Sequence, residues 1–402
     1  MIEIELSYVW GIDEPTFAIL VEEFTRQYGI KVRLRRLDWS TAWVDLFTMA
    51  SHGHGSDVSN IGSTWVSTLA KLDALRPFKH DEVAQIGGDN AFARPAWQSA
   101  KIFGDQRIWS IPWVGWTYVI FYHKALLQSI GLDPAKAFDS PEAAQTTLAA
   151  LQASKLEIPW LNADIPHPYV DYLHTAAPWV WAAGGEFINP TGTKALFDSP
   201  EAITGFVNWL NTYRCVPKQY QLLSVAECRD LIRSGRVAAA LVDINTANTT
   251  LDKAVTNIDE ENIGFANITN IPWMGGSSFV LWDHIQTHPD RERAAVELVK
   301  FLTTKSANLR WKKNGDLLPL RMDALDESYP PGNPLRETIM LSATQGRSYY
   351  NVSHWRRVES QLALELGTSL QYVRENPEAD SATVLRSRLE PLARRLNLIL
   401  EK

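Results

Sequence analysis

Tryptophan is the residue type here whose abundance invites a chemical explanation: there are 16 copies, the first at Trp10 and the last at Trp355, with no repeat period. An indole can fill a core, or it can offer a flat apolar face to a ligand. Asp, Asn and Arg beside such rings add paired hydrogen bonds of fixed geometry. Together these groups suit a carbohydrate, whose ring has apolar C–H faces and hydroxyl edges. The candidates are Trp10 with Asp13, the run Ser63, Thr64 and Trp65, the pair Trp113 and Trp116, and Asp243 with Asn245. Each has a plainer role open to it. The tryptophans could cap a sheet, Asp243 could cap a helix over T-A-N-T-T, and Arg347 could make a surface ion pair.

Other chemistries find little support. The chain has no G-x-x-x-x-G-K-[ST] or G-x-G-x-x-G phosphate cradle, no H-E-x-x-H helix and no G-x-S-x-G elbow. His52 and His54 flank a glycine without a third ligand of recognised spacing, so they read as a solvated loop. Tyr349 and Tyr350 could mimic an iron-holding pair, but no carboxylate–histidine cluster accompanies them, which favours a structural or sugar-facing pair. No metal and no cofactor is expected.

These residues must be positioned by regular elements. Ile2, Ile4, Leu6 and Tyr8 alternate with Glu3, Glu5 and Ser7, the pattern of a half-buried strand ending near Trp10. Phe17, Leu20, Val21, Phe24 and Tyr28 follow helical spacing after Asp13 and Pro15, and Gly29 closes that helix. Ile30, Val32 and Leu34 make a second strand, 40–50 a second helix and 57–62 a third strand. This is the grammar of an open parallel α/β sheet, whose ligands bind beyond the carboxyl ends of the strands. That rule selects the segments holding Trp10 and Asp13, and Ser63, Thr64 and Trp65.

The β-rich run 111–122, interrupted by proline and glycine, fits a passage from one lobe to another, and it carries Trp113 and Trp116. A second α/β series follows. Ser140-Pro141-Glu142 and Ser199-Pro200-Glu201 read as helix starts, and Ser224 with Glu227 as a capping box. R-V-A-A-A-L-V then predicts a buried strand stopping at Asp243. Residues 271–282 resemble a second passage, helices fill about 290–314, and Leu385, Leu389, Leu392, Leu396 and Leu400 line a late helical stripe.

Composition bounds the partners. A chain of 402 residues with 45% hydrophobic content exceeds one ordinary core, so two domains or lobes are expected. The formal charge of -7, with acids and bases interspersed, leaves no basic stripe for phosphates, so nucleic acid is not an expected partner. No run of about 18 apolar residues predicts a spanning helix. The first residues do not read as a signal peptide, so an export segment is expected to have been removed if there was one. Cys215 and Cys228 fit either one disulfide in an exported protein or two idle thiols.

The series of motifs resembles the family 1 extracellular solute-binding proteins of ABC importers, the group that includes the maltose-binding protein. The matching stretches include Y-V-W-G, F-T-R-Q-Y-G-I-K-V, G-S-D-V-S-N-I-G-S-T-W, A-P-W-V-W-A-A-G-G-E-F, W-M-G-G-S-S, L-L-P-L-R and G-R-S-Y-Y, in the family's order over essentially the whole chain. The resemblance implies a two-lobed periplasmic-binding-protein fold of α/β type (type II, maltose-binding-protein-like), with crossings between lobes and a helical C-terminal segment. The implied segments are 1–112 and 269–318 for the N-lobe, 113–268 for the C-lobe and 319–402 mainly for C-lobe helices. The implied ligand residues are Trp10, Asp13, Ser63, Thr64, Trp65, Trp113, Trp116, Asp243 and Asn245, then Trp273 with a Gly275-Gly276 turn, and finally Arg347, Tyr349 and Trp355. Several relatives carry a carboxylate where this chain has Thr64 or Trp116, which leaves the identity of the sugar open.

The same resemblance implies a monomer outside the cytoplasm, extracellular or periplasmic, with a lipid anchor on an absent N-terminal segment as one form. Its partners would be a mono- or oligosaccharide and the permease subunits of an ABC transporter, and it would deliver the sugar by hinge closure. The alternatives are a glycoside-processing enzyme, or the same fold binding a non-sugar solute such as a polyamine or iron.

The stretch A-P-W-V-W-A-A-G-G refines the site. It reads as the end of a helix over 171–183 with Gly184 at its C-terminal cap. Residues two apart on a helix point about 200° apart, so Trp179 and Trp181 cannot form one platform and read as packing. Asp171 and His174, near the start of that helix, become ligand candidates instead.

Overall fold

The computed structural model describes residues 2–9, 14–163, 170–314 and 317–400. Its strands, in chain order, are β1 (Glu3–Val9), β2 (Lys31–Leu37), β3 (Val58–Gly62), β4 (Leu75–Arg76), β5 (Ile111–His123), β6 (Ile158–Ala163), β7 (Val237–Asp243), β8 (Ile263–Asn267), β9 (Met274–Trp282) and β10 (Leu318–Pro319). The alternation read in the first 62 residues appears as β1, helix Glu14–Tyr28, β2, helix Ala42–His52 and β3. The serines read as helix starts act as caps. Ser140, Ser199 and Ser224 accept the backbone N–H of Ala143, Ala202 and Glu227, which satisfies one otherwise unpaired donor at each helix start.

The chain divides into two compact units. Unit 1 is Met1–Trp116, Met274–Pro330 and Ser348–Arg356, and unit 2 is Thr117–Trp273, Pro331–Arg347 and Arg357–Lys402. The division falls inside β5, between Trp116 and Thr117. Ser348–Arg356 belongs to unit 1, although the surrounding stretch was expected to be mainly C-lobe.

In unit 1 the strand order is β2-β1-β3-β9-β5, with β4 beside β9 and β10 beside the first half of β5. β1 is parallel to both β2 and β3, whereas β9 runs antiparallel to β3 in the register Asn60↔Phe279. Alternate residues of β9 serve opposite faces. Phe279 and Leu281 join a core with Phe17, Phe24, Trp113 and Trp311, while Val280 and Trp282 join one with Leu46, Met49 and Trp65. Two buried charges tie distant segments together. Arg76 donates to Glu82 at 2.7 Å and to Glu292 at 2.6 Å, and Arg291 donates to the fully buried Asp57 at 2.8 Å.

In unit 2 the order is β6-β7-β5-β8, with β6 and β7 parallel and β5 antiparallel to both of its neighbours. Every residue of β7 is buried, as a strand covered on both faces requires. Helix Val170–Ala182 packs on helix Pro200–Arg214, where a side chain in place of Gly205 would strike the Val180 backbone. The leucine stripe of helix Ser381–Leu400 is buried.

Candidate functional site

Because β6 and β7 are parallel, their carboxyl ends lie side by side. After β7, Asp243 turns the chain into helix Ile244–Thr250 by accepting the Thr246 N–H and hydroxyl, both at 2.9 Å. Burial raises the pKa of this carboxyl against the lowering effect of those bonds. The structure thus gives Asp243 the capping role rather than an open ligand contact. Two residues on, the side-chain carbonyl of Asn245 is buried with no hydrogen-bond partner among the described residues. Such an acceptor is costly unless something donates to it.

After β6 comes helix Val170–Ala182, with Asp171 in its first turn and His174 one turn later on the same face. Gly184 ends the helix at φ 82, a left-handed conformation that only glycine adopts readily, and its N–H bonds to the Trp181 carbonyl. The His174 ring lies flat on the Trp273 indole, with centroids 4.0 Å apart and planes at 11°. Burial pushes the His174 pKa down to about 3, so the imidazole is neutral at ordinary pH.

Trp273 gathers the rest of the cluster. Tyr118, paired with Asp243 across β5 and β7, lies 6.1 Å from its ring, and the Thr117 hydroxyl donates to its carbonyl at 2.6 Å. The Arg347 N–H donates to Pro272, its guanidinium lies 4.8 Å over Trp181, and it donates to Glu186 at 2.8 Å. Asp171 and His174 on the helix after β6, Asp243 and Asn245 after β7, and Trp273 and Arg347 are all residues of unit 2, and His174, Trp273, Asp243 and Arg347 are linked through the stack, Tyr118 and the Pro272 carbonyl. Thr117, Tyr118, Trp181 and Glu186 complete the cluster without having been singled out as ligand candidates. Their signals were adjacency, to Trp116 in one case and to the Gly184-Gly185 pair in the other.

In unit 1 the short turn Ser63–Trp65 follows the carboxyl end of β3. Ser63 and Trp65 are buried and Thr64 is half-buried. Trp65 makes T-shaped contacts with Trp39 and Trp43, with ring centroids 5.3 and 5.8 Å apart. Several candidates are interior. Trp113 is 1% exposed between Phe17, Phe279 and Trp311, and Trp355 is buried against Tyr349 with ring centroids 4.4 Å apart. Trp116 is half-buried at the end of unit 1. The Gly275-Gly276 pair is not a turn but part of β9. At φ 148, Gly276 meets the Val114 carbonyl, so its missing side chain serves strand packing. Trp10 and Asp13 lie outside the described residues.

Among the described residues no group of three His, Cys, Asp or Glu could hold a metal, and no helix is long and apolar enough to cross a membrane. Cys215 is a free, buried thiol whose pKa burial pushes up to about 12.

The fold has close counterparts among solved structures. The sugar-binding protein MalE of the phytopathogen Xanthomonas citri matches with a TM-score of 0.78 at 18% identity, over 99% of this chain and 97% of that one. Maltose-bound MalE3 of T. maritima matches with a TM-score of 0.74 at 18% identity, over 99% and 100%. A solute-binding protein of an ABC transporter from Thermotoga lettingae, bound with alpha-D-tagatose, gives 0.71 at 19% identity, over 100% of both chains. No curated protein matches the chain in sequence. At such identities the counterparts speak for the fold, that of maltose-binding-protein-like periplasmic binding proteins. The sequence itself carries the stronger mark: a profile described as bacterial extracellular solute-binding protein matches residues 20–335, which take in most of both units, and the chain belongs to that family of binding proteins.

Proposed function

We propose that the chain is the substrate-binding protein of an ABC importer and that its solute is a mono- or oligosaccharide. The observation that carries this reading is the set of groups that unit 2 gathers at the carboxyl ends of β6 and β7 and at Trp273: the neutral imidazole of His174 stacked on Trp273, the Asp171 carboxylate, and the buried, unpartnered carbonyl of Asn245. The imidazole, carboxylate and carbonyl are groups for hydroxyls rather than for a net charge. Arg347 adds no open anion site, since Glu186 takes its guanidinium, which weighs against anionic solutes. Tagatose and maltose are the solutes bound in two of the structural counterparts.

The enzyme alternative needs two carboxyls placed for acid and base work. Asp243 is committed to its helix cap and Glu186 to Arg347, which favours binding over hydrolysis. The reading includes a monomer outside the cytoplasm, which an N-terminal lipid would hold at the membrane, and closure of two lobes on the sugar before transfer to the permease. A thermal-shift panel of mono- and oligosaccharides, polyols, polyamines and iron tests the solute class. At least one saccharide should raise Tm, because a ligand that binds only the folded state adds about 2.7 kcal/mol at a hundredfold excess over Kd. A response confined to polyamines or iron would overturn the sugar assignment, and release of hydrolysis products would overturn the non-catalytic one.

A further inference from the structure

Among the described aromatic candidates, Trp65, Trp113, Trp273, Tyr349 and Trp355 are buried and Trp116 is half-buried, so five of them present no open ring face. Trp39 presents one. It is 48% exposed, which for an indole leaves roughly 100 Å² of apolar surface in solvent. A lone surface tryptophan would need no explanation, but three observations set this one apart.

The first is its place. Trp39 follows the carboxyl end of β2, and β2 and β3 flank β1 in the sheet. The loops after β2 and β3 meet because Trp39 rests on Trp65 at 71° between ring planes. The two rings meet at an angle rather than in a parallel stack, and nearly half of the Trp39 surface stays in solvent. The second is its rigidity. Asp38 accepts the Ser40 N–H at 2.8 Å and the Ser40 hydroxyl at 2.6 Å, and the Asp38 carbonyl accepts the Ala42 N–H at 2.6 Å. The backbone is thus tied on both sides of the indole, so little mobility is lost when a ligand settles on it. The third is room. Gly62 lies against both indoles, so that a β-carbon there would touch Trp65 at 3.5 Å and Trp39 at 3.7 Å, and any larger side chain would compete with a ligand for the space beside Trp39.

We propose that Trp39 is a saccharide-stacking residue. Its open face takes the apolar C–H face of one pyranose ring, with Trp65 as its backing and Ser63 and Thr64 at hand for hydroxyls. The proposal rests on the sugar reading above and adds a contact in unit 1, on a loop that the sequence pattern did not single out.

The test uses the full chain and a sugar found by the thermal-shift panel. Titration calorimetry on wild type, Trp39→Ala and Trp39→Phe should show about three- to tenfold weaker binding for the alanine variant and a smaller loss for phenylalanine, which keeps a ring. Both variants should remain folded without sugar, Trp39→Ala with a lower Tm because half of its ring packs on Trp65 and Trp39→Phe with a Tm closer to that of wild type. Independently, the Trp39 indole N–H resonance, assigned by its absence in Trp39→Phe, should shift as wild type is saturated. Wild-type affinity in Trp39→Ala, or an unmoved Trp39 resonance at saturation, overturns the stacking role and leaves the sugar reading standing. A wild-type protein that binds no saccharide in the panel overturns both.

Discussion

A histidine in the unfolded chain takes up a proton near pH 6.5, whereas His174, packed on Trp273, remains neutral down to about 3. As pH falls, the unfolded chain gains that proton first. Stability from this group is therefore complete above 6.5 and is lost progressively between 6.5 and 3. His174→Phe keeps a ring against Trp273 and removes the titration. Its Tm should decline less than that of wild type between pH 7 and pH 4, and equal declines would mean that folded His174 takes up the proton in that range. At this scale helical arithmetic set Trp179 and Trp181 on different faces and moved the candidates to Asp171 and His174, near the start of the helix. It could not tell Trp113 from Trp116. Three residues apart on a strand they face opposite ways, but the residues that bury Trp113 include Phe279 and Trp311, far along the chain.

Local elements were legible where a single residue decides them. Ser140, Ser199 and Ser224 start helices because their side-chain oxygens meet N–H groups three residues on. The Gly275-Gly276 pair misled because glycine signals either a turn or a close approach, and only the partner strand decides which. Here that partner is β5, through the Val114 carbonyl. Gly276→Ala should therefore cost about 3 kcal/mol or more in urea denaturation, from a strained φ and a side chain forced against backbone. The folded variant should keep its sugar affinity. Normal stability with weakened binding would return Gly276 to the ligand site.

Across the whole molecule, the sequence predicted two α/β series joined by two passages, so that the N-lobe is built from separate pieces of chain, but it could not show between which strands the late segment pairs. The strand that lies between β3 and β5 in unit 1 is β9, which arrives only after the whole Thr117–Trp273 segment of unit 2 has been made. The buried charges repeat the pattern: Asp57 and Arg76 wait for Arg291 and Glu292 on helix Pro289–Leu302. Without those partners the first 116 residues would hold an open sheet edge and an uncompensated buried carboxylate, and breaking one buried pair alone costs about 3–5 kcal/mol. Two fragments separate this dependence from simple shortening. A fragment of residues 1–272 lacks β9, β10 and both charge partners, whereas 1–330 keeps every strand of unit 1 while lacking the same 331–402 stretch. Urea unfolding followed by far-UV circular dichroism and tryptophan fluorescence should give a cooperative transition for 1–330 and none for 1–272. A cooperative transition in the shorter fragment would show that unit 1 folds without its late strand, and that the discontinuity of the chain carries no energetic consequence.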